Sequence, residues 1–241
     1  MFSIFKKELR TFFSSLTGYV VIVIFLLVNA WFLWIGRGPL NILDSGFASL
    51  SGMFEIAPWL LLFLLPAITM RTIADERKSG TIELLLTQPL TERQLIVGKY
   101  LAAVAVAWLA LLPTLIYFFT IYHLGSPVGN IDMGGTFGSY IGLLLLAAGY
   151  AAIGVFASSL TDNQLVAFLV AAAGCFLFYM GFDGLSVLIK PLDTFLLSLS
   201  IDEHYRSLSR GVIDWRDVLY FLSLIVLFLE AARLKLEARK W

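Results

Sequence analysis

Apolar residues along this chain are gathered into long runs. Thr17–Gly36, Tyr100–Tyr122, Phe137–Leu160 and Gln164–Phe182 contain no Asp, Glu, Lys or Arg. A helix rising about 1.5 Å per residue needs about 20 apolar residues to cross the hydrocarbon layer of a bilayer. Two further runs are less clean. Ile56–Met70 is short unless it extends back past Glu55, and Val218–Leu229 is short unless it continues past Glu230. Counting both, the pattern predicts six transmembrane helices, at about 17–36, 54–72, 100–122, 137–160, 164–182 and 217–236. The expected fold is an all-α integral membrane protein, with residues 1–241 forming a single domain.

The polar segments between the runs predict its organisation. Residues 1–16 place Phe5, Leu9, Phe12 and Leu16 on one side of a helix and Lys6, Lys7 and Arg10 towards another, a pattern that suits a helix lying in the membrane interface. If the N-terminus is cytoplasmic, twelve of the 17 Lys and Arg fall on the inside. That bias places both termini inside, consistent with an even number of spans. Asp183–Asp217 is then an outside segment with an amphipathic stretch at Phe195–Leu208, and Thr161–Asn163 is a tight inside turn. The longest inside connection, residues 73–98, reads as a charged turn, an amphipathic helix, a break at Gln88-Pro89, and a second helix capped by Thr91 with Gln94 three residues on. A short helix parallel to the membrane there would dock a soluble partner; the plainer alternative is a solvated loop.

Composition strengthens the membrane reading and removes other classes. Hydrophobic residues make up 59% of the chain and charged residues 14%, against about half and about a quarter in soluble domains. Formal net charge is zero, so no basic footprint points to nucleic acid. The single cysteine, Cys175, lies in mid-span and reads as a core thiol. No phosphate-cradling G-x-x-x-x-G-K-[ST] loop is present, since Gly98-Lys99 is followed by Tyr100. His123 and His204 fall in different outside segments without a metal motif, and no nucleophile motif is found. No metal site and no catalytic residue are expected. Charges in mid-span, the usual mark of a proton-coupled carrier, are missing; Glu230 near the end of the sixth run is expected to pair with Arg233 one turn on. Small residues at Gly138/Gly142 and Ala148/Ala152 mark close helix packing, within the chain or across a dimer.

One segment carries a family resemblance. Glu76, Arg77, Gly80, Thr81, Glu83, Leu84, Leu85, Pro89, Gly98 and Lys99 reproduce an acidic-basic pair, Gly-Thr-x-Glu, a Leu-rich turn, a proline and a Gly-Lys entry to the next span. This string resembles the cytoplasmic loop of ABC-2 transporter permeases, a fold of the type V exporter kind. Ile4-Phe5-Lys6-Lys7-Glu8, Ala57-Pro58-Trp59 and Leu65–Arg71 extend the resemblance, as do Asn41–Asp44, Pro127–Asn130, and Ser209–Asp214 with Asp217–Phe221. The pattern is most similar to gliding-motility-associated permeases, with the permease of nitrous oxide reductase maturation systems as a near relative.

The resemblance implies a half-transporter in a bacterial inner membrane, with N- and C-termini cytoplasmic. Its partners would be separate ABC ATPase subunits carrying ATP and Mg, and either a second permease copy or a related membrane subunit with a large outer domain. The chain itself would bind no cofactor, would contact lipid, and would not contact nucleic acid. The ATPases would dock on the coupling helix, Asp75 to Pro89. Glu76, Arg77 and Glu83 would make polar contacts, Gly80 a tight turn, and Thr81 a helix cap, with Leu84 on the same helix. A non-transporting scaffold of the same fold, or the permease of a copper-enzyme maturation system, would carry the same loop.

Overall fold

Residues 1–81, 91–211 and 213–238 are described by the structure, a computed structural model. Among these residues the secondary structure is helical, without strands. Five helical stretches are long and apolar enough to cross a membrane: Gly18–Ile35, Ser51–Lys78, Glu92–Leu124, Met133–Leu160 and Gln164–Leu188. The sixth expected span is not among them. It forms a helix of 23 residues, Trp215–Glu237, but Glu230, Arg233, Lys235 and Glu237 occupy its last two turns. The fifth stretch outruns its expected end at Phe182, because a π turn at Leu177–Gly181 carries the helix on to Leu188.

Helix α1 (Phe2–Ser14) ends where Ser15 turns extended, and the Ser15 hydroxyl accepts from the Gly18 amide to start α2 (Leu16–Ala30). A short helix α3 (Ile42–Ser45), capped by Asn41, leads to α4 (Ser51–Thr69) and the five-residue α5 (Ala74–Lys78). Helix α6 (Glu92–Leu111) opens with the expected capping box, Thr91 and Gln94 each bonding the other's backbone amide. Pro113 lies in a 3₁₀ turn, Leu112–Thr114, that joins α6 to α7 (Leu115–Leu124). Then follow α8 (Met133–Leu160), α9 (Gln164–Phe176), α10 (Phe182–Leu188), α11 (Asp193–Leu197), α12 (Ile201–Ser209) and α13 (Trp215–Glu237).

Helix α8 is the axis of the bundle. It packs on α4, α6, α9, α12 and α13, and 78% of its membrane-length window is buried, against 22% for α2 and for the α9 stretch. Its sequence explains this. Ala147, Ala148, Ala151 and Ala152 are all buried, and Gly149 and Gly154 leave room for Leu224 and Thr69. In lipid, helices associate through close packing, which small residues permit. The amphipathic stretch at Phe195–Leu208 packs partly on the bundle. Helix α12 tucks against the first turns of α8, burying Ile201, Tyr205 and Leu208, and the Tyr205 hydroxyl donates to the Phe54 carbonyl at 2.8 Å.

Candidate functional site

The segment that carried the resemblance follows α4, which passes through a turn at residues 70–73 into α5. Two consecutive amides at the turn, Ile73 and Ala74, both donate to the Ser158 hydroxyl, at 3.0 and 3.1 Å. That hydroxyl donates in turn to the Met70 carbonyl at 3.1 Å. Ser158 lies in the last turn of α8, so α5 is fixed to the end of the axial helix. Its side chains continue the attachment. Asp75 accepts from the Gln164 amide in the first turn of α9, and the Arg77 guanidinium donates to the Ser159 carbonyl. The tight turn between α8 and α9, capped by Asn163, brings Ser158, Ser159 and Gln164 to one place.

Glu76 faces the other way, towards α6 and α1. Its carboxylate lies 2.8 Å from the Lys99 ammonium and 3.4 Å from that of Lys7. Lys99 is 1% exposed and has two further acceptors, the Glu8 carboxylate at 2.8 Å and the Thr72 carbonyl. The ammonium donates hydrogen bonds to Glu8 and to the Thr72 carbonyl and forms an ion pair with Glu76. Two cations, Lys7 and Lys99, meet two carboxylates, Glu8 and Glu76, so the cluster is neutral. That balance is what permits a lysine to be buried at all. Local sequence explains the approach of α1. Gly98 has no side chain, and a Cβ there would lie 3.1 Å from Ile4. Ile4 and Glu8 are four residues apart on one face of α1, so the Ile4–Gly98 contact brings Glu8 over Lys99.

Asp75, Glu76 and Arg77, expected as partner-facing, are thus engaged within the chain. Among the described residues from Asp75 to Thr81, the exposed ones are Lys78, Ser79, Gly80 and Thr81. Gly80 has φ +68°, in the left-handed region, with open space around its Cβ position. Thr81 bonds back through its hydroxyl to Ser79 at 2.9 Å. Glu83, Leu84 and Pro89 lie outside the described residues. The small-residue pairs are placed inside the subunit: a Cβ on Gly138 would strike the Leu208 carbonyl, a Cβ on Gly142 would meet the Tyr205 ring at 3.0 Å, and Ala148 and Ala152 are buried.

Glu8, Lys99, Ser158, Ser159 and Gln164 were not singled out as site residues from sequence. Lys99 entered only as part of a motif and as a topology charge. At the same end of the bundle, Glu230 pairs with Arg233 as expected, at 2.9 Å, and also with Arg93 at 3.1 Å, joining α13 to α6. At the opposite end, a cavity of about 490 Å³ is bordered by Glu55, Trp59, Tyr179, Asp183, Asp202 and Arg206. Burial pushes the Asp202 carboxyl above the usual range, against the opposing effect of Arg206 at 2.9 Å. His204, read from sequence as lying outside any metal motif, bridges the Asp217 carboxylate at 2.7 Å and the Ser198 carbonyl at 3.1 Å.

The described residues thus form a body of membrane-length helices with a short polar segment attached to the end of its axial helix. The family model of the ABC-2 family transporter proteins matches residues 2–234, and the chain belongs to that family. It is also similar to the probable ABC transporter permease protein NosY of Pseudomonas aeruginosa, with 29% identity over 192 residues, 76% of this chain and 68% of the relative.

Proposed function

We propose that this chain is one membrane-spanning half of an ATP-driven transporter. It couples hydrolysis on a separate ABC ATPase subunit to movement of a substrate across a bacterial inner membrane. The observation that carries this reading is the two-faced geometry of α5. Its inner side is attached to α8, α9 and α6 through Ser158, Gln164, Arg77 and Glu76, while Lys78–Thr81 stay open at its far end. A force applied to the exposed face would therefore reach the axial helix directly.

In this reading the α1/α5 end is cytoplasmic and α13 is a sixth span. At about 1.5 Å per residue, its 23 residues suffice to cross. Glu230, Arg233, Lys235 and Glu237 cluster at the end that would reach the cytoplasmic interface, where Glu230 pairs with Arg233 and with Arg93 of α6, and Arg233 with Glu237, while Arg216 and Asp217 lie in the first turn at the other end. The coupling helix would extend from α5 into residues 82–90, where Glu83, Leu84 and Pro89 lie. ATP and Mg would be held by the ATPase, and this chain would do no covalent chemistry. The resemblance along the whole chain, Asn41–Asp44 and Pro127–Asn130 included, favours a gliding-motility or secretion-associated system in which a second permease copy, or a membrane subunit with a large outer domain, completes the pathway. The similarity to NosY supports an ABC permease in general.

The test is gentle solubilisation, capture of this chain and mass spectrometry of its companions. The reading predicts recovery of a P-loop ATPase, greatly reduced by Gly80→Val. Absence of any ATPase under several mild conditions would overturn it. Stimulation of that ATPase by a translocated substrate would separate a transporter from a scaffold.

A further inference from the structure

We propose that Lys99 makes the interfacial helix α1 a working part of the coupling element, so that α1, α5 and the start of α6 shift as one body. The proposal rests on the permease reading for its functional half only. Three observations lead to it. First, the Lys99 ammonium is the common partner of Glu8 on α1 and Glu76 on α5, at 2.8 Å each, and is itself 1% exposed. Second, Gly98 lets Ile4 of α1 pack on α6 at the neighbouring position, so packing and charge fix the same contact. Third, the exposed charge Lys7 reaches Glu76 directly at 3.4 Å, a second tie from α1 to α5.

No such tie is needed merely to hold α5 in place, since Ser158, Ser159 and Gln164 already attach it to α8 and α9. The Lys99 cluster adds a link to a helix that lies elsewhere. Charge pairs closed off from water cannot exchange their partners for solvent without cost. Displacement of α5 by a motor subunit would therefore carry α1 with it and strain the junction of α1 and α2 at Ser15. Lys99 is a positioning residue in this scheme, acting through Glu8 and Glu76.

The test must separate linkage from simple stability. Lys99→Met alone leaves two carboxylates facing each other and is expected to lower stability. The triple variant Lys99→Met, Glu8→Gln, Glu76→Gln removes every charge of the triad with similar volumes, and such neutral replacements are often tolerated. The full chain would carry spin labels in nanodiscs. One pair would be Arg10→Cys with Lys78→Cys, the other Lys78→Cys with Asp162→Cys; native Cys175 is buried and stays unlabelled. The proposal predicts a narrow 10–78 distance distribution in the otherwise native chain that broadens in the triple variant, while the 78–162 distribution stays narrow in both. It further predicts that the triple variant recovers its ATPase in normal amount but loses coupled turnover at least about tenfold. An unchanged 10–78 distribution in the triple variant would overturn the linkage. Unchanged coupled turnover would overturn its functional role. If the distances behave as predicted and no ATPase is ever recovered, the permease reading falls and the linkage stands.

Discussion

Glycine serves two unlike purposes in this chain. At Gly80 the backbone is left-handed and the space around it is open, so the demand is conformational. A β-branched residue there pays about 1–2 kcal/mol of backbone strain, whereas Asn visits this region readily. Gly80→Asn should therefore leave thermal stability and ATPase recovery close to normal, and Gly80→Val should lower both. At Gly138 and Gly142 the demand is steric, because α12 lies against them. Gly142→Leu should expel α12 from α8 and lower the melting temperature in detergent more than Leu144→Ala on the partly exposed side of the same helix. Asp202 makes a prediction of a different kind. Its folded-state carboxyl binds protons more tightly than in the unfolded chain, chiefly through burial. Stability contributed by this site should thus fall as pH rises from about 3.9 through the raised value. Asp202→Asn should remove that slope, which thermal melts from pH 4 to pH 8 would reveal as a stabilisation confined to the higher pH.

The elements differ in how far local sequence announces them. The capping box at Thr91 and Gln94 is a short-range device and was legible as written. So was the Glu230–Arg233 pair, one helical turn apart. The attachment of α5 was not, because its partners stand 82 to 89 residues away on the α8–α9 turn. Nothing in the spacing of Ser158 distinguishes it from any serine near a span end. Its importance appears only when two amides at a turn are seen to lack intrahelical acceptors and to converge on it. Ser158→Ala leaves those buried amides without this acceptor, at about 1–3 kcal/mol. Amide hydrogen exchange should then quicken by roughly tenfold or more in residues 73–78, with α4 and α8 unchanged. Equal protection in variant and native chain would show that α5 is held by other contacts.

Across the whole molecule, the apolar runs conveyed the body of the fold, since membrane length and the need to satisfy the backbone leave little choice but helices. Where they fell short, the reason was charge or irregularity. The sixth run carries ionised residues in its final turns, and the fifth continues past a π turn that no hydrophobic pattern encodes. The packing of α12 on α8 was hidden because an amphipathic stretch reads the same whether its apolar face meets lipid or another helix. The inner-loop residues were legible as a motif, but the expected coupling helix gave no sign that Glu76 and Arg77 also bond within the chain, Glu76 to Lys99 and Arg77 to the Ser159 carbonyl. If the chain is the proposed permease half, an ATPase would meet it at the exposed turn from Lys78 to Thr81. A photo-cross-linking residue at Ser79 in native membranes tests this directly, with a second at Phe195, exposed at the opposite end of the bundle, as control. The account predicts that a P-loop ATPase is captured from position 79 and not from position 195. Capture from position 195, or from neither, would contradict it.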